Sequence, residues 1–303
     1  MTHPVVAGVD GSERSLAAAD WAVREAELRG VPLRLVHASP PLPGSAVPGP
    51  AVDRLHQIGA RMLQQAAAEL GDRCPEVEVR GEQVDDDAVV ALLAAARDAG
   101  LVVVGTRGTG GFDGLALGRV ALRVAAAAPR PVVLVPDRSG AFGSERPGTL
   151  EGETHGARGA AQVVVGFDAH RPVSEVADFA FSAAEARGAG LRAVQAWALP
   201  AEAVSSRTLV VTEEDRGTWE DQEVLRLSDV LRPWQEKYPG VAVRADVMLL
   251  HPAEALLNAS QRAALLVVGR RSDPQAPEGH MGPITHAVLH HARCPVAVVP
   301  YGG

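Results

Sequence analysis

The chain has 303 residues, of which 47% are apolar and 22% charged, with a formal net charge of −8. At about 100 to 200 residues per domain this is an ordinary globular chain of two domains, and no apolar run approaches the roughly 18 residues of a membrane-spanning helix. The acidic balance disfavours DNA or RNA as the main partner, because counterion release needs a basic surface. Lys237 is the single lysine among 29 basic residues, so Walker-type phosphate binding and Schiff-base chemistry lack their usual side chain.

Met1-Thr2-His3-Pro4 leads directly into Val5-Val6 without a basic segment or cleavage site, which points to the cytoplasm. Short Val/Leu runs then alternate with longer helical stretches, the pattern of a parallel sheet covered by crossover helices. Strands are expected near 4–9, 33–38, 76–82, 101–105 and 131–136. Ser12 is placed to N-cap the first helix and Gly30 to end it, and a helix is expected over 119–128. Residues 137–161 carry six glycines and few large apolar side chains, so they read as a linker reaching roughly 25 to 30 Å. Beyond it, strands are expected near 162–168, 190–197, 241–248, 265–269 and 295–300.

The second half repeats the first. An offset of 158 superposes Gly8 on Gly166, Asp10 on Asp168, and Arg29-Gly30 on Arg187-Gly188, while an offset of 164 superposes Gly105 on Gly269, Arg107 on Arg271, and Gly118 on Gly282. Such a repeat in fixed order is one ancestral domain present twice. The boundaries are 1–138 for the first copy, 139–161 for the linker and 162–303 for the second copy. The fold class is α/β, with two tandem doubly wound domains, each a five-stranded parallel sheet whose ligand crevice lies beyond the carboxyl ends of its strands.

Three side-chain groups have ordinary readings. Cys74 and Cys294 each precede a proline and fit half-buried, unreactive positions. Trp21 and Phe179 occupy equivalent helix positions and suit core packing. His280, His286, His290 and His291 include a pair one helical turn apart, but no nearby cysteine or carboxylate completes a metal set, and a solvated helix face is the simpler reading.

At the strand ends the sequence carries chemistry. Gly8-Val9-Asp10-Gly11-Ser12 closes the first strand, and Gly105-Thr106-Arg107-Gly108 follows the fourth, with Gly118 just before the 119–128 helix. Glycines there let backbone N–H groups approach an anion, and a helix start favours phosphate. The Gly105-x2-Gly108-x9-Gly118 spacing, the Val-Asp-Gly-Ser strand end and the closing Pro-Val-Val-Leu-Val-Pro together resemble the universal stress protein family, in both copies.

That resemblance implies a universal stress protein-like fold, related to the adenine nucleotide alpha-hydrolases, and a soluble stress-response regulator that binds ATP. It implies that Gly8, Val9 and Asp10 flank the ribose or a bound Mg²⁺, that the Ala38 backbone meets the adenine edge, and that Gly105, Arg107, Gly108, Gly118, Arg119 and Val120 surround the phosphates. Mg²⁺ would arrive with the nucleotide rather than in a protein metal cluster, no catalytic residue is assigned, and turnover is at most slow hydrolysis. Asp10 has a second reading as support for the first helix cap. Arg107 and Arg119 each have two readings, phosphate clamp or solvated side chain; Arg119 stands where nucleotide-binding members carry Ser or Thr. In the second copy Asp168, Gly269 and Gly282 remain, but Ser272 replaces the middle glycine and Pro283 offers no N–H, which predicts a degenerate site. The alternatives are a scaffold that recruits partners without nucleotide, and an enzyme of the alpha-hydrolase type, whose Ser-Gly-Gly phosphate loop is missing after the first strand.

The apolar last strands of the two copies, each flanked by prolines, are candidates to pair with one another, since an open sheet edge is an aggregation hazard. Family members often dimerise this way, which implies an intrachain pseudo-dimer and, at most, homodimers of it. Cysteines introduced at Leu134 and Val298 are expected to crosslink within one chain; no crosslink, with separately expressed copies staying monomeric, overturns the pairing.

Overall fold

Consecutive apolar β-branched residues suit a strand that is buried on both faces, and that is what the Val/Leu runs become. The computed structural model describes residues 3–40, 49–108, 117–136, 162–197, 213–273 and 279–302. The expected linker at 139–161 lies outside the described residues. The chain divides into two compact units: the first takes its described residues from Met1–Val124 and Val133–Ala160, the second from Ala125–Val132 and Ala161–Gly303.

In the first copy β1 (Val5–Gly8), β2 (Leu33–Ala38), β3 (Val79–Val84), β4 (Leu101–Gly105) and β5 (Val132–Val135) lie in the order β3-β2-β1-β4-β5. The β1 pairings are parallel, with Val5 opposite Leu33 on one side and Leu101 on the other. The helices are α1 (Glu13–Arg29), α2 (Gly49–Arg73), α3 (Ala88–Ala96) and α4 (Arg119–Ala127). Val5, Val6, Leu33, Leu35 and Leu101 to Val103 are almost wholly buried and form the centre of this layer. Leu63, Ala66 and Leu70 of α2, at helical spacing, bury against it.

The ends of α1 follow the sequence. Ser12 caps it by accepting from the Ser15 N–H, and Gly30 ends it in the left-handed conformation at φ 62°, where its N–H returns to Ala26 and Glu27 carbonyls. The third strand begins later than the apolar pattern suggests. Val77 is buried, but its N–H bonds the Cys74 carbonyl at 3.0 Å in the turn that closes α2, so pairing starts at Val79.

The second copy repeats this plan with β6 (Gln162–Gly166), β7 (Leu191–Ala196), β8 (Val243–Met248), β9 (Ala263–Ser272) and β10 (Val296–Gly302), in the order β10-β9-β6-β7-β8. Its described helices are α5 (Ser174–Ala186), α6 (Glu213–Lys237), α7 (Pro252–Ser260) and α8 (Pro283–His291). One packing detail recurs in both copies. A Cβ on Gly8 would stand 3.1 Å from Leu92 of α3, and a Cβ on Gly166 would stand 3.1 Å from Leu256 of α7. The glycine that ends the first strand of each copy is therefore closely approached by a leucine lying on it.

Phe179 is buried as expected, while the equivalent Trp21 is only half-buried. Both cysteines are more deeply buried than the half-buried reading allows, at 8% and 6% exposure, Cys74 in the turn that closes α2 and Cys294 just before β10. Burial pushes the Cys294 thiol up to about 11. The thiolate is the reactive form, so only about one molecule in a thousand carries it at pH 8. A thiol reagent at pH 8 is thus expected to leave Cys294 unmodified in the native protein and to modify it once denatured; fast native labelling of that residue would contradict its burial.

Candidate functional site

The winding of the first sheet reverses between β1 and β4, so the loops that leave these strands diverge and open a crevice at their carboxyl ends. Asp10 stands just past β1. Its Oδ1 accepts the Ser12 N–H at 3.0 Å and the Ser12 hydroxyl at 2.6 Å, and its own N–H donates to the Ser15 hydroxyl at 3.2 Å. This turn sets Gly11 at φ 80°, a conformation that suits glycine, and orients the carboxylate over the crevice. Both readings of Asp10 therefore converge in one geometry: one oxygen supports the helix cap while the other faces the loop after β4.

That loop comes within contact distance. A Cβ on Gly108 would lie 2.3 Å from Asp10 Oδ2, and a Cβ on Gly105 would lie 3.0 Å from the Arg14 carbonyl oxygen. Gly118 donates to the Thr106 carbonyl at 2.7 Å, which folds the start of α4 back against Arg107 and Gly108. The structure thus brings Asp10, Gly105, Arg107, Gly108 and Gly118 together. Gly8 and Val9 belong to the packing beneath, Gly8 against Leu92 and Val9 in the core. Arg119 is exposed and Val120 half-buried on the first turn of α4.

A cavity of about 540 Å³ adjoins Asp10 on the other side, lined by Ala38 and by His37, Ser39, Met62 and Gly59. His37 hydrogen-bonds the Val9 carbonyl through Nδ1 at 2.9 Å, which fixes the imidazole on the wall. The Gly59 backbone admits it closely, since a Cβ there would be 2.8 Å from the ring. Spacing around the glycine loop pointed to none of these lining groups, and the family resemblance implied Ala38 alone among them. They come from α2 and the end of β2, and the His37-Ala38-Ser39 run at a strand end was the signal available in the chain.

The second copy departs from this plan. Asp168 is exposed, its Oδ1 accepting the His170 N–H at 3.0 Å in the same kind of turn. A Cβ on Gly269 would meet the Tyr301 ring and Val176 at 3.0 Å, whereas nothing lies within 4 Å of one on Gly282. Ser272 ends β9 half-buried, and α8 begins on Pro283 after an N-cap glycine that makes no side-chain cap. Around them lies a cavity of about 830 Å³. The buried Gln195 accepts the Ala169 N–H at 3.0 Å and donates to Glu223, whose carboxylate also receives His170 at 3.2 Å.

Three of the histidines near the C-terminus, His286, His290 and His291, lie in tilted ring contact. The His286 and His290 ring centroids are 4.5 Å apart, and burial, followed by the charges of His286 and His291, pushes His290 down. Among the described residues no group of three or more His, Cys, Asp or Glu side chains could hold a metal. None of the described helices is long and apolar enough to cross a membrane.

A tandem pair of doubly wound α/β domains, each with an aspartate just past its first strand, defines the class of this protein. The universal stress protein family profile matches residues 1–136 and again 160–300, and the chain belongs to that family. The universal stress protein Rv2005c of Mycobacterium tuberculosis is 33% identical over 98% of this chain and 96% of its own. Rv2623 of the same organism is 32% identical, over 97% and 95%. A crystal structure of a universal stress protein from Archaeoglobus fulgidus shares the fold at a TM-score of 0.67, with 15% identity over 99% of this chain and 97% of that one. A universal stress protein solved in complex with cAMP aligns with 44% of this chain and 96% of its own, at 27% identity and a TM-score of 0.36.

The Ser12 hydroxyl serves both the α1 cap and Asp10. Ser12→Ala is expected to lower stability by about 1 kcal/mol in a denaturant titration, the usual cost of a lost N-cap. No change would mean that the cap contributes nothing to holding Asp10.

Proposed function

We propose that this chain is a nucleotide-holding regulator of the stress response, with ATP bound mainly in the first domain. The observation that carries the reading is the position of Asp10, which lines the 540 Å³ cavity and places its second carboxylate oxygen against Gly108. One side chain thereby joins a pocket with room for a base to a loop whose backbone approaches closely. In this reading the adenine enters the cavity beside Ala38, Asp10 accepts from the ribose hydroxyls, and the phosphates pass over Gly108 and Gly118 to the start of α4.

A carboxylate facing polyphosphate repels it, so Asp10 fits the nucleotide as a hydroxyl acceptor or as one ligand of a Mg²⁺ that the phosphates bring. Its Oδ1 is committed to Ser12, and the remaining oxygen suits such a single-carboxylate role. The exposed Arg119 is free to swing onto the phosphates where family members carry a hydroxyl. The role proposed is holding nucleotide rather than turning it over, in the cytoplasm, without nucleic acid as partner. A second reading, recruitment of a protein partner without nucleotide, is favoured by Leu55 and Ile58, which stand 54% and 56% exposed on α2 at the rim of the same cavity.

Calorimetry with MgATP is expected to give close to one site per chain. Asp10→Ala and Gly118→Val should each weaken it at least tenfold, with circular dichroism unchanged for Asp10→Ala, while Asp168→Ala leaves it intact. Two equal sites, or a site that survives both first-domain substitutions, would overturn the assignment. Absence of any nucleotide binding would leave the partner-recruiting reading in its place.

A further inference from the structure

The wall of the cavity beside Asp10 holds four polar side chains, and two of them are already engaged. Asp10 is tied into the turn with Ser12, and His56 stands 3.6 Å from Asp85. The other two are His37 and Ser39. Ser39 extends the pairing of β2 by one residue, its N–H bonding the Val84 carbonyl at 2.8 Å, so the alternation of a strand puts it on the same side as His37.

Each of these two is held by a hydrogen bond that fixes what it can offer. A carbonyl only accepts, so the 2.9 Å contact with Val9 puts the proton of the neutral imidazole on Nδ1 and leaves Nε2 a bare acceptor. Nε2 has no hydrogen-bond partner among the described residues, and it is not one of the polar atoms sealed away from solvent. Gly59 keeps that edge of the ring uncovered, since a Cβ there would stand 2.9 Å from Nε2. Ser39 is the complement. Its oxygen accepts from the Gln83 amide at 2.7 Å, so its own proton points elsewhere and has no acceptor among the described residues. The wall thus presents one acceptor and one donor.

The second copy lacks this pair. At the offsets of 158 and 164, Gln195, Trp197 and Glu223 stand where the first copy has His37, Ser39 and Gly59. Glu223 brings a carboxylate to the position at which Gly59 has no side chain, and it receives the Gln195 amide. Gln195 is occupied at its other end too, where it accepts the Ala169 N–H at 3.0 Å.

Resting on the nucleotide reading of the first domain, we propose that His37 and Ser39 select the base, His37 Nε2 accepting from an exocyclic amino group and the Ser39 hydroxyl donating to a ring nitrogen beside it. Adenine carries that donor next to an acceptor, whereas a 6-oxopurine turns an oxygen lone pair toward the lone pair of Nε2. A site built to bond an N–H rejects the analogue without it strongly, because the site's own group is then left unpaired. Selection of the base therefore lies in two side chains of the first copy that the second copy has exchanged.

The test is calorimetry on the full chain with three magnesium nucleotides that differ at the purine 6-position: ATP with its amino group, purine riboside triphosphate with hydrogen, and ITP with oxygen. Purine riboside triphosphate is expected to bind about tenfold more weakly than ATP, and ITP more weakly again. His37→Asn keeps an N–H for the Val9 carbonyl but has nothing in place of Nε2. It should bring ATP down to the affinity of purine riboside triphosphate and leave the latter unchanged. Ser39→Ala should weaken both several-fold and leave their ratio as it was. The nucleotide series on the unaltered chain needs no variant to fold, and equal affinity for ATP and purine riboside triphosphate there overturns the inference while the nucleotide reading stands. So does a ratio that survives His37→Asn, or a His37→Asn chain that loses all three nucleotides alike, which marks the imidazole as mere support for the wall. Failure of all three to bind the unaltered chain overturns the inference and the nucleotide reading together.

Discussion

The reversal of winding between β1 and β4, and between β6 and β9, is the constraint from which the rest of each domain follows. Neighbouring strands whose crossovers run in opposite directions cannot share a loop, so their carboxyl ends open a space that the sheet itself cannot fill. Backbone groups at those ends have no ladder partner and need one from nearby side chains. In the first copy Asp10, Ser12 and Ser15 supply it, and in doing so they fix a carboxylate over the gap. Helix capping and site geometry are here one set of hydrogen bonds.

Duplication lets the two kinds of constraint be separated, because what both copies keep is structural and what they exchange is chemical. The glycine–leucine contact at the first strand end is kept to 3.1 Å in both. The turn in which an aspartate Oδ1 accepts the N–H two residues on is kept as well, at 3.0 Å in both. The residues one layer out are exchanged: His37 for Gln195, Ser39 for Trp197, Met62's neighbourhood for Glu223. A scaffold held by backbone packing tolerates such exchange, since none of these side chains carries the strand pairing.

Local signals made the fold legible. The Val/Leu runs located the strands, Ser12 and Gly30 marked the ends of α1, and the repeat showed that one plan is used twice. Val77 misled because an apolar residue buried in a turn looks, in sequence, like the first residue of a strand. The glycines were legible as close backbone approaches, yet not which neighbour demanded each: Gly108 answers to Asp10, Gly8 to Leu92. The second cavity was the least legible part. Counting donors lost at Ser272 and Pro283 suggested decay, while Tyr301 and Glu223, which shape the space, lie far from that motif in the chain.

Net charge does not decide which pocket receives an anion. A chain at −8 repels anions at long range, but at physiological ionic strength exposed charges are screened beyond about 8 Å. What remains is the arrangement within one loop's reach. In the first domain that arrangement is a carboxylate beside bare backbone. In the second it is two arginines beside the aromatic side chains of Phe167, Trp197 and Tyr301. The two arrangements differ on the same fold because the sheet reversal fixes where each crevice lies, while the groups at its edge are free to change.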